Sequence, residues 1–225
     1  MLDITGLGGD TACMSSLGEK LCGKFVVFDG PDGAGKSTQL EMLREYLSQA
    51  GCGVTLAIDP GGTDTGGRIR EILLHSKGLD ISPVCETFLF MASRAQLAHE
   101  VIRPAIQAGR AVLGDRFISA TLAYQGALGV DPKFILDLAG AAVGQTWPDL
   151  TVILDIDADR GLARLDSEPD RMESRAGSYH EQVRQKFRQL HEIYPRPVRC
   201  LDATGTPREV FDRLLQLLET EFDNA

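Results

Sequence analysis

The sequence predicts an α/β fold in which a five-stranded parallel sheet is flanked by helices, and three observations support this prediction. Short apolar runs occur at five places along the chain, each of a length suited to a buried strand. Segments with helical spacing separate the runs and are long enough for crossover helices. A glycine-rich loop follows the first run and opens a helical segment. The runs are KFVVFD, VTLAID, AVLGD, LTVILDID and PVRCLDA, at residues 24–29, 54–59, 111–115, 150–157 and 197–203.

Length and composition predict one globular domain. The chain has 225 residues, of which 43% are hydrophobic, which suffices for one core but is too short to expect two domains. Residues 1–22 have no periodic apolar pattern, and they lack the basic and apolar regions of a signal or transit peptide. We therefore expect residues 1–22 to be a disordered N-terminal extension and residues 23–225 to be a single domain.

Charge and cysteine content narrow the expected partners and location. A net charge of −9 opposes binding to a nucleic-acid backbone, so any anion site must be a local basic pocket. No apolar run approaches the ~20 residues that span a bilayer. The five cysteines are scattered and lack metal-site spacing, which is typical of a reducing compartment. We expect a cytoplasmic protein that binds small molecules and neither nucleic acid nor membrane.

The glycine-rich loop is the strongest functional signal. Gly30 to Ser37 fits the pattern G-x-x-x-x-G-K-[ST], in which backbone N–H groups surround a phosphate. Lys36 is predicted to neutralise the transferred phosphoryl group and Ser37 to hold Mg²⁺. Nucleotide binding without catalysis would satisfy the same pattern. The residues predicted to bind ATP are Gly30, Pro31, Asp32, Gly33, Ala34, Gly35, Lys36, Ser37 and Thr38.

Two helices have recognisable ends. Leu40, Leu43 and Leu47 place one apolar face on the helix after the loop, and Gly51 is expected to follow its C-terminus. The last helix opens with T-P-R-E at 206–209, which combines the spacing of a capping box with proline at the first helical position.

Asp115 and Arg116 are expected at the ligand-binding edge of the sheet. Asp115 ends the run AVLGD, and ligands of open α/β sheets bind at the carboxyl ends of the strands. We predict that Asp115 assists Ser37 at the metal and that Arg116 grips an acceptor phosphate. The alternatives are a capping or ion-paired aspartate and a solvated arginine.

Several motifs taken together resemble the thymidylate kinase family of P-loop enzymes, which phosphorylate dTMP to dTDP. The resemblance implies a P-loop NTP hydrolase-like fold with a short lid, ATP as donor, Mg²⁺ as cofactor and a homodimer. It extends from about residue 24 to the C-terminus. The motifs are FDGPDGAGKST, DPGGTDTGGRIREILL, FLFMASRAQLAHEVIRPAI, GDRFISATLAYQG, PDLTVILDID, and DRMES followed by YHEQVRQKF.

The resemblance implies a pocket for the thymine base and the sugar. Phe90 matches a residue that stacks on thymine, and Arg94, on the same helix face, matches one that contacts base and phosphate. Thr121 matches a residue that meets the pyrimidine edge, Tyr124 one that packs on the deoxyribose, and Gln125 belongs to the same segment. Without the motif, Phe90 reads as core packing and the others as helix-surface residues.

The resemblance also implies residues around the acceptor phosphate. Asp32 matches an acid near the sugar and phosphate, and Arg70 and Arg116 match arginines that hold the phosphate. The chain departs from the family at 58–59, where Ile58 replaces a usual arginine and Asp59 keeps the usual negative charge on a shorter stem. The hydrogen bonding of that corner is therefore open.

The lid is expected to supply a catalytic cation. The loop offers none at positions 31, 32 and 34, so the resemblance implies arginines in a lid near residues 164–176. The segment RLDSEPDRMESR contains Arg164, Arg171 and Arg175, and we predict Arg171 as the catalytic one with Arg164 second. Ion pairing of these arginines with Asp166, Glu168 and Asp170 is the alternative.

The predicted reaction is direct, in-line transfer of the γ-phosphoryl group from ATP to dTMP, with Lys36 and a lid arginine on either side of the moving group. Two alternatives remain at this stage. One is a kinase with another nucleotide acceptor; the other is a nucleotide-binding module that signals without turnover.

Overall fold

The computed structural model describes residues 17–76, 78–164, 171–172 and 177–223, and within them all five predicted strands are present. The strands form one parallel sheet in the order β2-β3-β1-β4-β5. The predicted α/β fold with a five-stranded parallel sheet is therefore confirmed. The strands are β1 (Phe25–Asp29), β2 (Val54–Ile58), β3 (Ala111–Asp115), β4 (Leu150–Asp155) and β5 (Val198–Asp202).

Helices connect every consecutive pair of strands. None of the helices in the described part of the chain has the length and apolar character needed to cross a membrane. π-Helical turns at Glu71–His75 and Ala98–Ile102 follow α2 and α3 directly. The helices are α1 (Lys36–Gln49), α2 (Asp64–Arg70), α3 (Pro83–Leu97), α4 (Arg103–Gln107), α5 (Ile118–Ala127), α6 (Pro132–Val143), α7 (Ala158–Leu162), α8 (Gly177–Ile193) and α9 (Pro207–Asp223).

Both predicted helix ends are confirmed. Gly51 follows the end of α1 with φ +81°, a left-handed conformation that glycine adopts without steric cost. At the start of α9, the Thr206 N–H donates to Glu209 Oε2 at 2.7 Å, and the Glu209 N–H donates to Thr206 Oγ1 at 3.3 Å. This reciprocal pair is a capping box, so local sequence alone fixes where α9 begins.

Strand alternation divides the core into two layers. Phe25 and Val27 pack with α3, α5, α6 and α8 on one face of the sheet. Val26 and Phe28 pack with α1 and α9 on the other face. Successive strand residues point to opposite faces, and both faces are covered, which explains why the runs read as continuously apolar.

The topology brings two cavities to one edge of the sheet. All strands are parallel, so their carboxyl ends share an edge, and β1 lies between β3 and β4. The carboxyl ends of β1 and β3 are adjacent, with Phe28 in register with Asp115. This is the edge at which open α/β sheets bind ligands.

Residues 17–22, which were expected to be disordered, are ordered in the structure. Residues 17–21 form a helical turn, and Leu17 and Leu21 are buried in the core layer that contains α1 and α9. The prediction of disorder up to residue 22 is therefore wrong for residues 17–22, while residues 1–16 lie outside the described residues. Two widely spaced leucines do not produce a periodic signal, and their burial depends on a surface that the rest of the chain supplies.

The structure also contains a disulfide bond that was not predicted. Cys22 and Cys52 form a disulfide with a Cα–Cα distance of 6.0 Å. The pairing follows from the packing of residues 17–21 beside the C-terminal end of α1, which sequence spacing does not reveal. Cys85 and Cys200 are free and exposed.

Candidate active site

The phosphate-binding loop connects β1 to α1 and needs glycine at two crowded points. Gly30 has φ +134°, and a Cβ there would collide with the carbonyl oxygen of Leu154. Gly33 has φ +70°, and a Cβ there would collide with the carbonyl oxygen of Gly161. The loop therefore curls tightly onto the strand ends and presents the N-terminus of α1, whose free N–H groups favour anions.

Lys36 is buried at the first position of α1. Its side chain folds back over the loop, and Nζ donates to the carbonyl oxygens of Gly30 at 3.3 Å and Pro31 at 2.9 Å. Burial, followed by the charge of Arg116, lowers the pKa of Lys36 to about 8, although nearby Asp32 and Asp115 oppose the change. A phosphate group would replace these carbonyl contacts with a charged partner.

Nucleotide binding is therefore expected to take up a proton near pH 8. At that pH about half of the Lys36 side chains are neutral, because their pKa is about 8. A polyphosphate favours the charged form, so binding takes up about half a proton at pH 8 and almost none at pH 6.5. Titration calorimetry in two buffers of different ionisation enthalpy measures this number.

Lys36→Arg is the control for proton uptake, because guanidinium remains charged at both pH values. Equal proton uptake by the two proteins at pH 8 would show that another group titrates.

Two cavities meet at the loop. The larger, about 670 Å³, lies toward β2, β3, α3 and α5, and the smaller, about 480 Å³, lies toward β5 and α9. Gly33, Lys36 and Ser37 line both cavities. The larger cavity brings together the residues predicted for the acceptor and for catalysis: Asp32, Asp59, Arg70, Phe90, Arg94, Asp115, Arg116, Thr121, Tyr124 and Gln125.

Arg116 lines the larger cavity and binds the phosphate-binding loop. It has φ +66°, a conformation uncommon for a non-glycine residue and frequent at functional sites. Its Nη1 donates to Asp29 Oδ1 and to the Gly30 carbonyl oxygen, both at 3.0 Å. Its Nη2 donates to an Asp32 carboxylate oxygen and, at 3.2 Å, to the Tyr124 hydroxyl. The guanidinium is thus held in one orientation before any ligand binds.

Two carboxylates surround that guanidinium. Asp29 is fully buried and accepts hydrogen bonds from Ser119 Oγ at 2.7 Å and the Gly30 N–H at 2.9 Å. Burial raises the pKa of Asp29, although Arg116 and Ser119 favour its charged form. Burial also acts to raise the pKa of Asp32, but Arg116, Lys36 and the Tyr124 hydroxyl together lower it below its usual value. Asp32 next to a phosphate site is therefore tolerated because two cations compensate it.

Arg94 is the largest fully buried side chain that lines the larger cavity. Its Nε donates to Asp59 Oδ2 at 2.6 Å and its Nη1 to Thr121 Oγ1 at 2.8 Å. The guanidinium carbon lies 5.4 Å from the centre of the Phe90 ring. Burial raises the pKa of Asp59, and Arg94 opposes this. Arg94 thus supplies the basic partner that Ile58, an exposed residue, does not.

Arg70 also lines the larger cavity. Its Nη1 donates to the carbonyl oxygen of Pro60 at 2.9 Å, and its side chain is partly exposed. The Asp59–Pro60 peptide bond in the same segment is cis. The arrangement leaves the Arg70 guanidinium on the same cavity as Arg116.

Ser37 and Asp115 provide oxygen ligands of the kind that Mg²⁺ prefers. Both line the larger cavity, and Asp115 lies close enough to affect the pKa of Lys36. Within the described residues no cluster of three or more metal-binding side chains is present. A magnesium ion that is held by one or two protein oxygens, with phosphate and water completing its shell, fits this donor set.

Gln125 and Arg171 meet at a buried glutamate that sequence reasoning did not select. Gln125 Nε2 donates to Glu86 Oε2 at 2.9 Å, and Arg171 Nη2 lies 2.7 Å from Glu86 Oε1. Arg171 Nε also donates to the carbonyl oxygen of Leu73 at 2.8 Å. Arg171, the lid arginine that the sequence predicts as catalytic, therefore contacts Leu73 and Glu86 beside residues of the larger cavity, and it does not line the smaller cavity.

Arg164, the second choice, lines the smaller cavity together with loop residues Gly33 to Thr38. Arg175 and the acids Asp166, Glu168 and Asp170 lie outside the described residues. Residues after β5 complete this cavity and were not predicted as site residues, although their position at the carboxyl end of a parallel strand could have indicated them. They are Ala203, Gly205, Pro207 and Val210.

Three comparisons with known proteins agree. The family model for thymidylate kinase matches residues 28–214. The thymidylate kinase of Deinococcus radiodurans is 43% identical over 191 residues, covering 84% of this chain and 92% of the relative. That of Exiguobacterium sp. is 41% identical over 198 residues, covering 87% and 93%. The crystal structure of thymidylate kinase from Ehrlichia chaffeensis has 28% identity and a TM-score of 0.71, covering 88% of this chain and 99% of that one.

Proposed function

The chain belongs to the thymidylate kinase family, and from that premise we propose how its two cavities carry out ATP-dependent phosphorylation of dTMP to dTDP. The observation that carries the proposal is that Gly33, Lys36 and Ser37 line both cavities. Nucleotides bound on the two sides would bring their phosphates to the same lysine. Direct transfer requires the two phosphates to meet in this way. No covalent intermediate with the protein is needed, because the acceptor phosphate is already an anion and can attack the γ-phosphate itself.

The larger cavity is the acceptor site in this proposal. Phe90 stacks on the pyrimidine, and Arg94 and Thr121 hydrogen-bond to its edge with Gln125 beside them. Stacking on an aromatic ring contributes about 1–3 kcal/mol per base. Tyr124 and Asp32 lie against the sugar. Arg70 and Arg116 hold the acceptor phosphate, with Asp59 fixing Arg94 from behind; the fixed guanidinium of Arg116 supports this assignment.

The smaller cavity and the loop form the donor site. Backbone N–H groups of the loop and of the first turn of α1 surround the β-phosphate of ATP, and Lys36 neutralises the group in transfer. Ser37 and Asp115 would hold Mg²⁺, which when bound would neutralise charge on the phosphate oxygens. Lys36 and Arg116 orient the phosphates of the two substrates.

Arg164 supplies the lid cation in this proposal, because it lies on the donor cavity next to the loop. Arg164→Ala is expected to lower kcat by about a hundredfold with little change in the KM for dTMP, since the side chain acts on charge that develops during transfer. Steady-state kinetics with varied dTMP at saturating Mg·ATP checks this.

Arg160→Ala is the matched control for Arg164→Ala, as an exposed arginine on α7 that lines neither described cavity. Its kinetics should equal those of the unmodified enzyme. An unchanged kcat in Arg164→Ala would remove Arg164 from the mechanism.

We also propose that the enzyme is a cytoplasmic homodimer. Val84 and Phe88, one turn apart on α3, are 45% and 50% exposed, and Phe88 stacks edge-on against Phe134 of α6. Such an apolar face is suited to a second copy of the chain. Sedimentation equilibrium of the protein and of Phe88→Glu is the test, with a dimer expected only for the former.

One experiment tests the proposed function against its alternatives. The purified protein is incubated with Mg·ATP and a mixture of nucleoside monophosphates, and the products are identified by mass spectrometry. We expect dTDP as the main product. Another diphosphate would indicate a different acceptor, and binding of ATP and dTMP without any diphosphate would indicate a binding module.

A further inference from the structure

Glu86 is a buried acid beside the acceptor cavity to which the mechanism above gives no task. Its exposed fraction is 0%, and it lies on α3 one turn before Phe90 and two turns before Arg94, on the same helix face. Burial of a carboxylate is costly unless it is paired and hydrogen-bonded. Arg171 and Gln125 supply the pair and the hydrogen bond.

The Glu86 contact determines which edge of the Gln125 amide faces the cavity. A carboxylate paired with a guanidinium accepts hydrogen bonds only, so the Gln125 edge facing it must be the NH₂ group. The carbonyl Oε1 is then on the opposite edge of the amide. In the described part of the chain this buried Oε1 has no hydrogen-bond partner, and Gln125 lines the acceptor cavity. An unpaired buried acceptor at a ligand cavity is suited to a donor on the ligand.

The pattern of groups matches one class of pyrimidine. Thymine presents an acceptor, O4, next to a donor, N3–H, whereas cytosine presents a donor amine next to an acceptor nitrogen. Arg94 offers N–H donors and Gln125 Oε1 offers an acceptor. If the amide were rotated, its NH₂ group would face the cavity and would match cytosine N3 instead.

We propose that Glu86 is a positioning residue that fixes the Gln125 amide so that the acceptor site selects a pyrimidine with an N3–H group. This proposal rests on the proposed function, in which dTMP is the acceptor. Arg171, which pairs with the same carboxylate, also donates through Nε to the carbonyl oxygen of Leu73, and the neighbouring Met172 packs with Phe90 and Leu73.

Glu86→Gln tests the proposal, because it keeps the volume of the side chain and replaces a carboxylate, which only accepts hydrogen bonds, with an amide that also donates. A glutamine at this position keeps its carbonyl oxygen toward Arg171 and turns its NH₂ group toward Gln125, so the Gln125 amide is no longer held with its carbonyl oxygen facing the cavity. We expect kcat/KM for dTMP to fall about tenfold, chiefly through KM, while that for dCMP does not fall, so that discrimination drops by about tenfold or more. The readout is ADP release with each monophosphate at saturating Mg·ATP.

Two further variants complete the experiment. Glu100→Gln, an exposed glutamate further along the same helical segment, should leave discrimination unchanged. The double variant Glu86→Gln with Arg171→Met removes both charges of the buried pair. Neutral replacement of such a pair is often tolerated, so the double variant should fold even if Glu86→Gln alone is unstable. It should lose discrimination equally.

A purely structural role for Glu86 predicts a different result. In that case both variants would lower dTMP and dCMP phosphorylation by the same factor, or lower only the melting temperature, and the proposal would be overturned. Failure of the unmodified enzyme to phosphorylate dTMP would instead contradict the proposed function, so the two failures are distinguishable.

Discussion

Replacing Lys36 with alanine is expected to lower kcat/KM for dTMP phosphorylation by about a thousandfold or more, with most of the loss in kcat. The ammonium group is the one loop cation that lines both cavities, and phosphoryl transfer depends on charge neutralisation at that point. Backbone N–H groups of the loop still bind the nucleotide phosphates in the variant, so ATP affinity should fall much less than turnover.

The fold should survive this substitution. Folding lowers the pKa of Lys36 from 10.5 to about 8, so the folded state holds the proton less tightly than the unfolded state. Below pH 8 this costs the native protein about 3 kcal/mol, and the cost disappears as the pH rises toward 10.5. The melting temperature of Lys36→Ala at pH 7 is therefore expected to equal or exceed that of the unmodified protein.

Lys133→Ala is the matched control, since Lys133 is exposed on α6 and pairs only with the nearby Asp137 in the described structure. Stopped-flow or coupled assays give kcat, and calorimetry gives ATP affinity. If Lys36→Ala lowered ATP affinity and left kcat unchanged, the result would favour the binding-module interpretation over the kinase.

The sequence predicted the parts of the site that depend on neighbouring residues in the chain, namely the phosphate-binding loop and the acid at the end of a strand. The phosphate loop needs glycine at Gly30 and Gly33 because side chains there would collide with the backbone, and this requirement is visible as a motif. The rule that a strand-ending acid faces the ligand edge selected Asp115. The same rule applies to Asp29 at the end of β1, where it was not used, and Asp29 anchors Arg116.

Contacts between distant segments were not predictable in this way. Leu17 and Leu21 are buried by surfaces that come from α1 and α9, and Arg171 pairs with Glu86 on α3, 85 positions earlier in the chain. Glu86 could have been predicted in part, because the four-residue spacing from Phe90 to Arg94 also places Glu86, one turn earlier, on the same helix face. Arg164 lines the smaller cavity and Arg171 pairs with Glu86, and the spacing of the two arginines in the sequence does not encode this difference.

Replacing Arg94 with methionine is expected to destabilise the protein by about 3–5 kcal/mol and to raise the KM for dTMP by about a hundredfold. The substitution leaves Asp59, which is 3% exposed, without its guanidinium partner. Removing one member of a buried pair costs more than removing both, because an uncompensated charge remains in a low dielectric. Urea unfolding and steady-state kinetics measure the two effects.

The pH dependence of this loss has a definite sign. Burial already raises the pKa of Asp59, and without Arg94 the pKa rises further above that of the unfolded chain. The penalty for the buried carboxylate is therefore full at high pH and shrinks as Asp59 takes up a proton. We expect the stability difference between Arg94→Met and the unmodified protein to be smaller at pH 5 than at pH 8.

The double variant Asp59→Asn with Arg94→Met separates folding from binding. With no charge left in the pair, most of the lost stability should return, whereas the KM for dTMP should remain high because no guanidinium faces the base. Arg199→Met, an exposed arginine on β5 paired with Glu221, controls for the loss of an arginine as such. If the double variant were no more stable than Arg94→Met, the instability would come from lost packing around Phe90 and Phe117, and the buried pair would not be its cause.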